Sequence, residues 1–292
     1  MPFDALRSAP LAPGSCAPVA IFDSGLGGLS VLRAVRTALP DERLIYAADS
    51  LYAPYGERDD DFIADRTLAI GEWLVSQGAK ALVVACNTAT SQSIAQARER
   101  LPIPVIGVEP GIKPASLTSQ TRVVGVLATA VTLRSARFQA LAERHTGDCR
   151  FILQPGHGLV QAVERCDTDS PELIALLRSY VQPMLDANAD TLVLGCTHYP
   201  FLDRAIRAIA GDRLALIDTS VAIARQLERQ LDSFGLRATP AQAPDIELPR
   251  FYSTNDGQAL RQLAASLLGL DVTVEHVVIP SRRTRTLESD PV

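Results

Sequence analysis

Short apolar runs alternate with longer amphipathic stretches along most of the chain. The runs hold three to five residues and lie at 19–22, 44–48, 81–85, 104–108, 123–127, 151–153, 191–195, 214–217 and 277–279. Continuous apolar strands separated by helices are typical of parallel sheets that are covered on both faces. We therefore predict an α/β fold.

Local signals mark where some helices and loops begin and end. Ser170 followed by Pro171 predicts a helix N-terminus, and Gly235 and Gly269 stand where helix C-caps are expected. The stretches 51–58 and 102–114 carry the proline and glycine residues that are typical of turns.

Polar residues follow nearly every predicted strand. The positions are Asp23, Asp49, Cys86, Glu109, Thr129, Cys196 and Asp218. In parallel α/β sheets, ligands bind at the carboxyl ends of the strands. The pattern thus predicts a ligand site built from hydroxyls, carboxylates and two thiols.

The chain also contains a weak internal repeat. Residues 81–90 resemble 191–200, which places Cys86 and Cys196 at equivalent positions 110 residues apart, and 20–24 resemble 125–129. The repeat predicts two pseudo-symmetric domains with mostly parallel sheets flanked by helices, and an active site in the interdomain cleft.

The motif pattern divides the chain into two predicted domains. The first takes in 18–110 and 221–280, and the second takes in 111–220. Residues 1–17 and 281–292, which are rich in proline, alanine or polar residues, are expected to be flexible termini.

Composition removes several functional classes. The 292 residues are 47% hydrophobic and carry a net charge of −5 without a basic block, so we expect a folded protein that does not bind nucleic acid. No apolar run approaches the roughly 18 residues of a membrane span, and the first residues lack a signal-peptide pattern. We therefore expect a cytoplasmic protein, in which the five cysteines are free thiols.

Two cysteines in matched contexts suggest a specific chemistry. A cysteine between a strand and a helix lies at the helix N-terminus, which stabilises a thiolate. Inversion of a stereocentre needs a base on one face of the carbon and an acid on the other, and Cys86 and Cys196 would supply both. Asp23 and His198 are candidates to tune the two thiols and to shuttle their protons.

Other interpretations of these residues remain open. Cys196 and His198 could bind zinc, although no Cys-x-x-Cys occurs and the remaining histidines are scattered. A thiol hydrolase would leave the second cysteine without a role, and each cysteine could simply be a small buried residue. The glycines 25, 27 and 28, with Asp49 downstream, weakly resemble a dinucleotide motif but place Ser30 at its third glycine.

Four motifs together resemble the glutamate racemase family. They are Phe22-Asp23-Ser24-Gly25-Leu26-Gly27-Gly28-Leu29, Ala53-Pro54-Tyr55-Gly56, Val84-Ala85-Cys86-Asn87-Thr88-Ala89-Thr90 and Leu194-Gly195-Cys196-Thr197-His198-Tyr199-Pro200. The resemblance runs from about residue 18 to 280. It implies a cofactor-independent and metal-independent enzyme that interconverts L- and D-glutamate and supplies D-glutamate for peptidoglycan.

The resemblance also implies residue roles. Cys86 would take the α-proton from D-glutamate and Cys196 from L-glutamate, with Asp23 beside Cys86 and His198 beside Cys196. Glu164 matches a further catalytic carboxylate, although Gly156-His157 stands where the family commonly has Cys-Pro. The implied substrate contacts are Ser24, Pro54, Tyr55, Gly56, Asn87, Thr88, Thr129, Thr132 and Thr197. The family often forms homodimers, so a homodimer is expected here.

Two alternatives accompany this interpretation. The chain could racemise aspartate or a related acid, because the Cys-Asn-Thr and Cys-Thr-His motifs are shared broadly. It could also be a catalytically silent homologue that binds an amino acid, although the intact Asp23, Cys86, Cys196 and His198 speak against that.

Overall fold

The computed structural model describes residues 16–145, 147, 149–239 and 248–281. Residues 1–15 and 282–292, which make up most of the predicted flexible termini, lie outside the described residues. The strands are β1 (Val19–Asp23), β2 (Leu44–Ala48), β3 (Ala81–Val84), β4 (Val105–Gly107), β5 (Val123–Ala128), β6 (Arg150–Pro155), β7 (Thr191–Gly195), β8 (Ala215–Ile217), β9 (Arg250–Ser253) and β10 (Val274–His276). The helices are α1 (Leu29–Ala38), α2 (Asp60–Ser76), α3 (Asn87–Arg100), α4 (Ile112–Thr118), α5 (Ala130–Arg134), α6 (Ala136–Glu143), α7 (Leu159–Glu164), α8 (Pro171–Asp186), α9 (Asp203–Ala210), α10 (Ser220–Ser233) and α11 (Gln258–Leu268).

The strands form two parallel sheets. One has the order β10-β9-β2-β1-β3-β4, and the other has the order β6-β5-β7-β8. The second sheet therefore repeats the β2-β1-β3-β4 order of the first, with β5 in place of β1 and β7 in place of β3. This arrangement confirms the predicted α/β fold. It also explains the internal repeat, since Cys86 follows β3 and Cys196 follows β7.

Helices cover both faces of each sheet, which is why the central strands are apolar throughout. In the first sheet, α1, α10 and α11 pack on one face and α2 and α3 on the other. In the second, α7, α8 and α9 cover one face, and α4, α5 and α6 cover the other. Helix α10 lies against α1 of the first sheet even though it follows β8 of the second.

The predicted helix ends are confirmed. The Ser170 hydroxyl accepts a hydrogen bond from the Leu173 amide at the start of α8. Gly269 caps α11 with φ of +63°, and Gly235 follows α10 with φ of +66°. Glycine adopts this left-handed conformation without the strain that a Cβ would cause.

The last predicted strand is wrong. Residues 277–279 lie beyond β10, and the sheet gains β9, which the apolar pattern did not predict. The Val277 amide still donates to the Ser253 carbonyl of β9, but the Ile279 carbonyl accepts a hydrogen bond from Arg66 of α2, so the segment leaves the sheet and packs on a helix. β9 begins with the exposed Arg250 and is a strand because it pairs with β2 and β10.

Within the described residues, no helix combines the length and the apolar character that a membrane span requires.

Candidate active site

Cys86 lies at the junction of β3 and α3. It is the N-cap of α3, and its sulfur accepts a hydrogen bond from the Ala89 amide at 3.4 Å, while the Ser24 hydroxyl lies 3.4 Å from the sulfur. Burial raises the pKa of the Cys86 thiol to about 12, and the charges of Asp23 and Cys196 act in the same direction. The hydrogen bonds from Ser24 and Ala89 lower it in part. This environment therefore favours the neutral thiol of Cys86.

Cys196 occupies the equivalent position in the second sheet, and a histidine and a carboxylate line up behind it. The Cys196 sulfur lies 3.6 Å from Nδ1 of His198, and Nε2 of His198 lies 2.5 Å from Oε1 of Glu164. Burial alone lowers the pKa of His198, but its hydrogen bonds to Cys196 and Glu164, and their charges, raise it well above the ordinary value. The environment therefore favours the imidazolium, which donates to both neighbours.

Asp23 accepts hydrogen bonds from residues next to both cysteines. Its Oδ1 accepts from the Gly25 amide at 2.8 Å and from the Ser24 hydroxyl at 3.3 Å. Its Oδ2 accepts from the Thr197 hydroxyl at 2.9 Å, next to Cys196. Burial raises the pKa of Asp23, against the positive charge of His198 and the hydrogen bonds, which lower it. One carboxylate thus contacts the neighbours of both thiols.

Glu164 joins the two sheets in a second place. It ends α7, which packs on the second sheet, and its Oε1 accepts from the Leu26 amide of the first-sheet glycine loop at 2.7 Å. The unusual Gly156-His157 precedes this helix. A Cβ at Gly156 would clash with the Tyr199 hydroxyl, so the glycine makes room for that ring, while His157 is exposed.

Three threonines form a hydroxyl cluster across the two sheets. Thr88 of α3 lies 3.0 Å from Thr129, and the Thr129 hydroxyl donates to Thr132 at 2.9 Å. Thr129 is also the N-cap of α5, and its hydroxyl accepts a hydrogen bond from the Thr132 amide. The side-chain nitrogen of Asn87 donates to the Val108 carbonyl at 3.2 Å, and this hydrogen bond does not involve the side-chain oxygen of Asn87.

The Pro54–Gly56 loop forms a wall beside these threonines. A Cβ at Gly56 would lie 3.0 Å from the Thr129 Cβ, so the loop and Thr129 are in close contact. The Tyr55 ring packs against Phe22, but its hydroxyl donates to Asp49 at 2.5 Å, away from the cluster. Asp49 is buried and also binds Arg66, so it has no free oxygen for the ribose contact of a dinucleotide.

The structure brings all fourteen predicted site residues to the facing carboxyl ends of the two sheets. Two residues that the sequence did not assign to the site are Leu26, whose amide binds Glu164, and Arg66, which pairs with the strand-end Asp49 behind Tyr55. Arg66 lies in the middle of a helix and carries no local signal. A cavity of about 310 Å³ borders Leu26, Pro54 and Glu164, next to this site.

Metal ligands are not grouped here. Among residues 16–145, 147, 149–239 and 248–281, no three His, Cys, Asp or Glu side chains are arranged to hold a metal ion.

The chain is similar to known racemases in sequence. Residues 29–227 match the family model described as Asp/Glu/Hydantoin racemase. The glutamate racemase of Ralstonia pickettii (strain 12J) is 61% identical over 253 residues, which cover 87% of this chain and 88% of that protein.

Solved structures show the same fold. Escherichia coli glutamate racemase, in complex with L-glutamate and the activator UDP-MurNAc-ala, superposes with a TM-score of 0.80 at 31% identity and covers 91% of this chain and 100% of its own. Glutamate racemase from Francisella tularensis in complex with D-glutamate gives a TM-score of 0.78 at 27% identity, over 90% and 98% of the two chains.

Proposed function

The chain belongs to the Asp/Glu/hydantoin racemase family, and from this premise we propose that it interconverts L- and D-glutamate by proton transfer between Cys86 and Cys196. The observation that carries the proposal is the placement of two buried thiols after equivalent strands of two facing sheets, with Asp23 bonded towards both sides. The relatives named glutamate racemase favour glutamate over aspartate.

The proposed reaction needs only the two thiols as acid and base. In one direction the Cys86 thiolate removes the α-proton of D-glutamate, and the Cys196 thiol protonates the opposite face of the carbanion. In the other direction the roles exchange. No cofactor or metal takes part. Asp23 raises the proton affinity of the Cys86 sulfur, and His198 lies beside the Cys196 sulfur, where it can shuttle a proton.

The hydroxyls and amides around the thiols suit a small dicarboxylate with one ammonium group. The hydroxyls of Thr88, Thr129 and Thr132 can donate and accept hydrogen bonds, and the N-terminus of α3 at Asn87 suits a carboxylate. Ser24, Thr197 and the Pro54–Gly56 loop complete the proposed substrate contacts. The Thr88–Thr129 bond that links the two sheets is replaced by bonds to substrate when glutamate binds.

The high pKa of Cys86 poses a problem that the substrate solves. With a pKa of about 12 instead of 9.0, the Cys86 thiolate costs about 4 kcal/mol more to form than an unperturbed cysteine thiolate. The α-ammonium of bound glutamate places a positive charge in the same dry site and lowers that cost. The base is therefore generated only when substrate is present.

Closure of the two sheets over the substrate excludes water from the carbanion. The α-proton is very weakly acidic, so its removal requires donors and positive charge in a dry site. Domain closure over a small ligand is the usual device. We propose that the two sheets are the cores of two domains, 18–110 with 221–280 and 111–220, and that the active site is the cleft between them.

The proposed cellular role is the supply of D-glutamate for peptidoglycan in the cytoplasm, by an enzyme that acts as a homodimer. These assignments rest on the family resemblance.

The test is racemisation of pure L- and D-glutamate in D₂O without added cofactor, followed by circular dichroism and by loss of the α-proton NMR signal. We expect wild type to act on both enantiomers, Cys86→Ser and Cys196→Ser to lose full turnover, and Cys166→Ser, at an exposed thiol, to match wild type. Unchanged optical rotation after hours with folded wild type would overturn the proposal. Aspartate as the better substrate would redirect it to the alternative acid.

A further inference from the structure

A buried ion pair stands behind the Pro54–Gly56 loop. Arg66 of α2 binds Asp49 with two hydrogen bonds, from Nε to Oδ2 at 2.9 Å and from Nη2 to Oδ1 at 2.7 Å. Both side chains are about 1% exposed. Desolvation makes such a pair a weak source of stability, so its presence at the edge of an active site calls for another role.

The pair is fastened to the loop through Tyr55. The Tyr55 hydroxyl donates to Oδ2 of Asp49 at 2.5 Å, and Arg66 stacks over the Tyr52 ring at 4.5 Å. The Tyr55 ring lies in the same apolar cluster as Cys86. Because Pro54 and Gly56 flank Tyr55, the orientation of this ring determines where the loop meets Thr129.

We propose that Asp49 and Arg66 are positioning residues for substrate binding, which hold the Pro54–Gly56 loop against Thr129 and Cys86 through the Tyr55 hydroxyl. This inference rests on the proposed glutamate racemase function. The loop contacts parts of the substrate that do not react, so it binds the ground state and the transition state equally. Its displacement therefore raises KM and leaves kcat nearly unchanged.

The chain contains a matched pair for comparison at the other end of the same strand. Lys80 binds Glu42 at 2.6 Å, and both are buried. Glu42 precedes β2, whereas Asp49 follows it, so the Glu42–Lys80 pair lies at the amino end of the sheet, away from the site. Loss of either carboxylate charge takes the ion-pair partner from a buried cation, but only loss of the Asp49 charge frees the loop.

The experiment measures kcat and KM for both enantiomers, and the melting temperature, in the full-length Asp49→Asn, Glu42→Gln and Tyr55→Phe variants. We expect Asp49→Asn and Glu42→Gln to melt at lower temperatures than wild type. KM rises about tenfold in Asp49→Asn and Tyr55→Phe, as for loss of one hydrogen bond to a charged group, with kcat within about threefold. Glu42→Gln keeps the wild-type KM.

Tyr55→Phe decides the matter if Asp49→Asn does not fold, because it removes one hydroxyl and leaves the ion pair in place. An unchanged KM in Tyr55→Phe, or an equal KM in Asp49→Asn and Glu42→Gln, overturns the positioning role while an active wild type leaves the proposed function standing. A folded wild type without glutamate racemisation removes the proposed function and this inference with it.

Discussion

Replacement of Gly27 by alanine tests whether the two sheets meet as closely as the structure shows. A Cβ at Gly27 would lie 2.5 Å from Nδ1 of His198 and 2.5 Å from the Thr197 hydroxyl oxygen. Gly27 belongs to the first-sheet loop, and the two side chains that it would meet follow β7 of the second sheet. The substitution therefore acts on the contact between the sheets and not on the fold of either one.

The size of the effect follows from these distances. Ordinary non-bonded contacts lie at about 3.5–4.0 Å, so His198 and Thr197 must move by about 1 Å. A misplacement of about 1 Å in an active site costs on the order of 100-fold in rate. Overpacking at the same time costs about 1–3 kcal/mol of stability, which the folded chain tolerates. We expect Gly27→Ala to fold and to lose about 100-fold in kcat/KM.

The assay follows kcat/KM for L- and D-glutamate by circular dichroism, together with the melting temperature. The two enantiomers have an equilibrium constant of unity, so kcat/KM falls equally in both directions for any variant. Gly147→Ala is the control, because a Cβ at Gly147 meets no atom within 4 Å. A Gly27→Ala enzyme within about threefold of wild type would refute the close approach of Gly27 to His198 as a requirement of the reaction.

Two further predictions concern proton affinity. Glu164→Gln removes a charge that raises the pKa of His198, so the alkaline limb of kcat/KM moves to lower pH than in wild type, and Glu228→Gln, at a surface pair, leaves it unmoved. If the alkaline limb of kcat/KM in Glu164→Gln stays at its wild-type position, the assigned effect of Glu164 on the His198 pKa is contradicted. The His198 imidazolium also contributes to the stability of the fold. That contribution is complete below the unfolded pKa of about 6.5 and is lost as the pH rises through the higher folded pKa. Iodoacetamide at pH 8 should modify the exposed Cys166 before the buried Cys86, whose pKa of about 12 leaves it as a thiol; mass spectrometry that finds Cys86 modified first would show that the unliganded site is open.

Much of the fold was predictable because its signals are local. Strands such as 44–48 and 191–195 are apolar throughout since helices cover both faces, and a run of this kind needs no partner to be recognised. β9 was missed for the opposite reason: its sequence starts with an exposed arginine, and its pairing with β2 decides its structure.

The residues that end the strands, and hence the side chains that can reach a ligand, are recognisable in the sequence because the repeated motifs around Cys86 and Cys196 are local. Three contacts of the site arise only when the chain folds: Asp23 accepts from Thr197, Glu164 accepts from Leu26, and Arg66 binds Asp49, which accepts from Tyr55. These contacts join residues up to 174 positions apart. They depend on how two sheets face each other, which is set by packing over the whole chain and not by any local pattern.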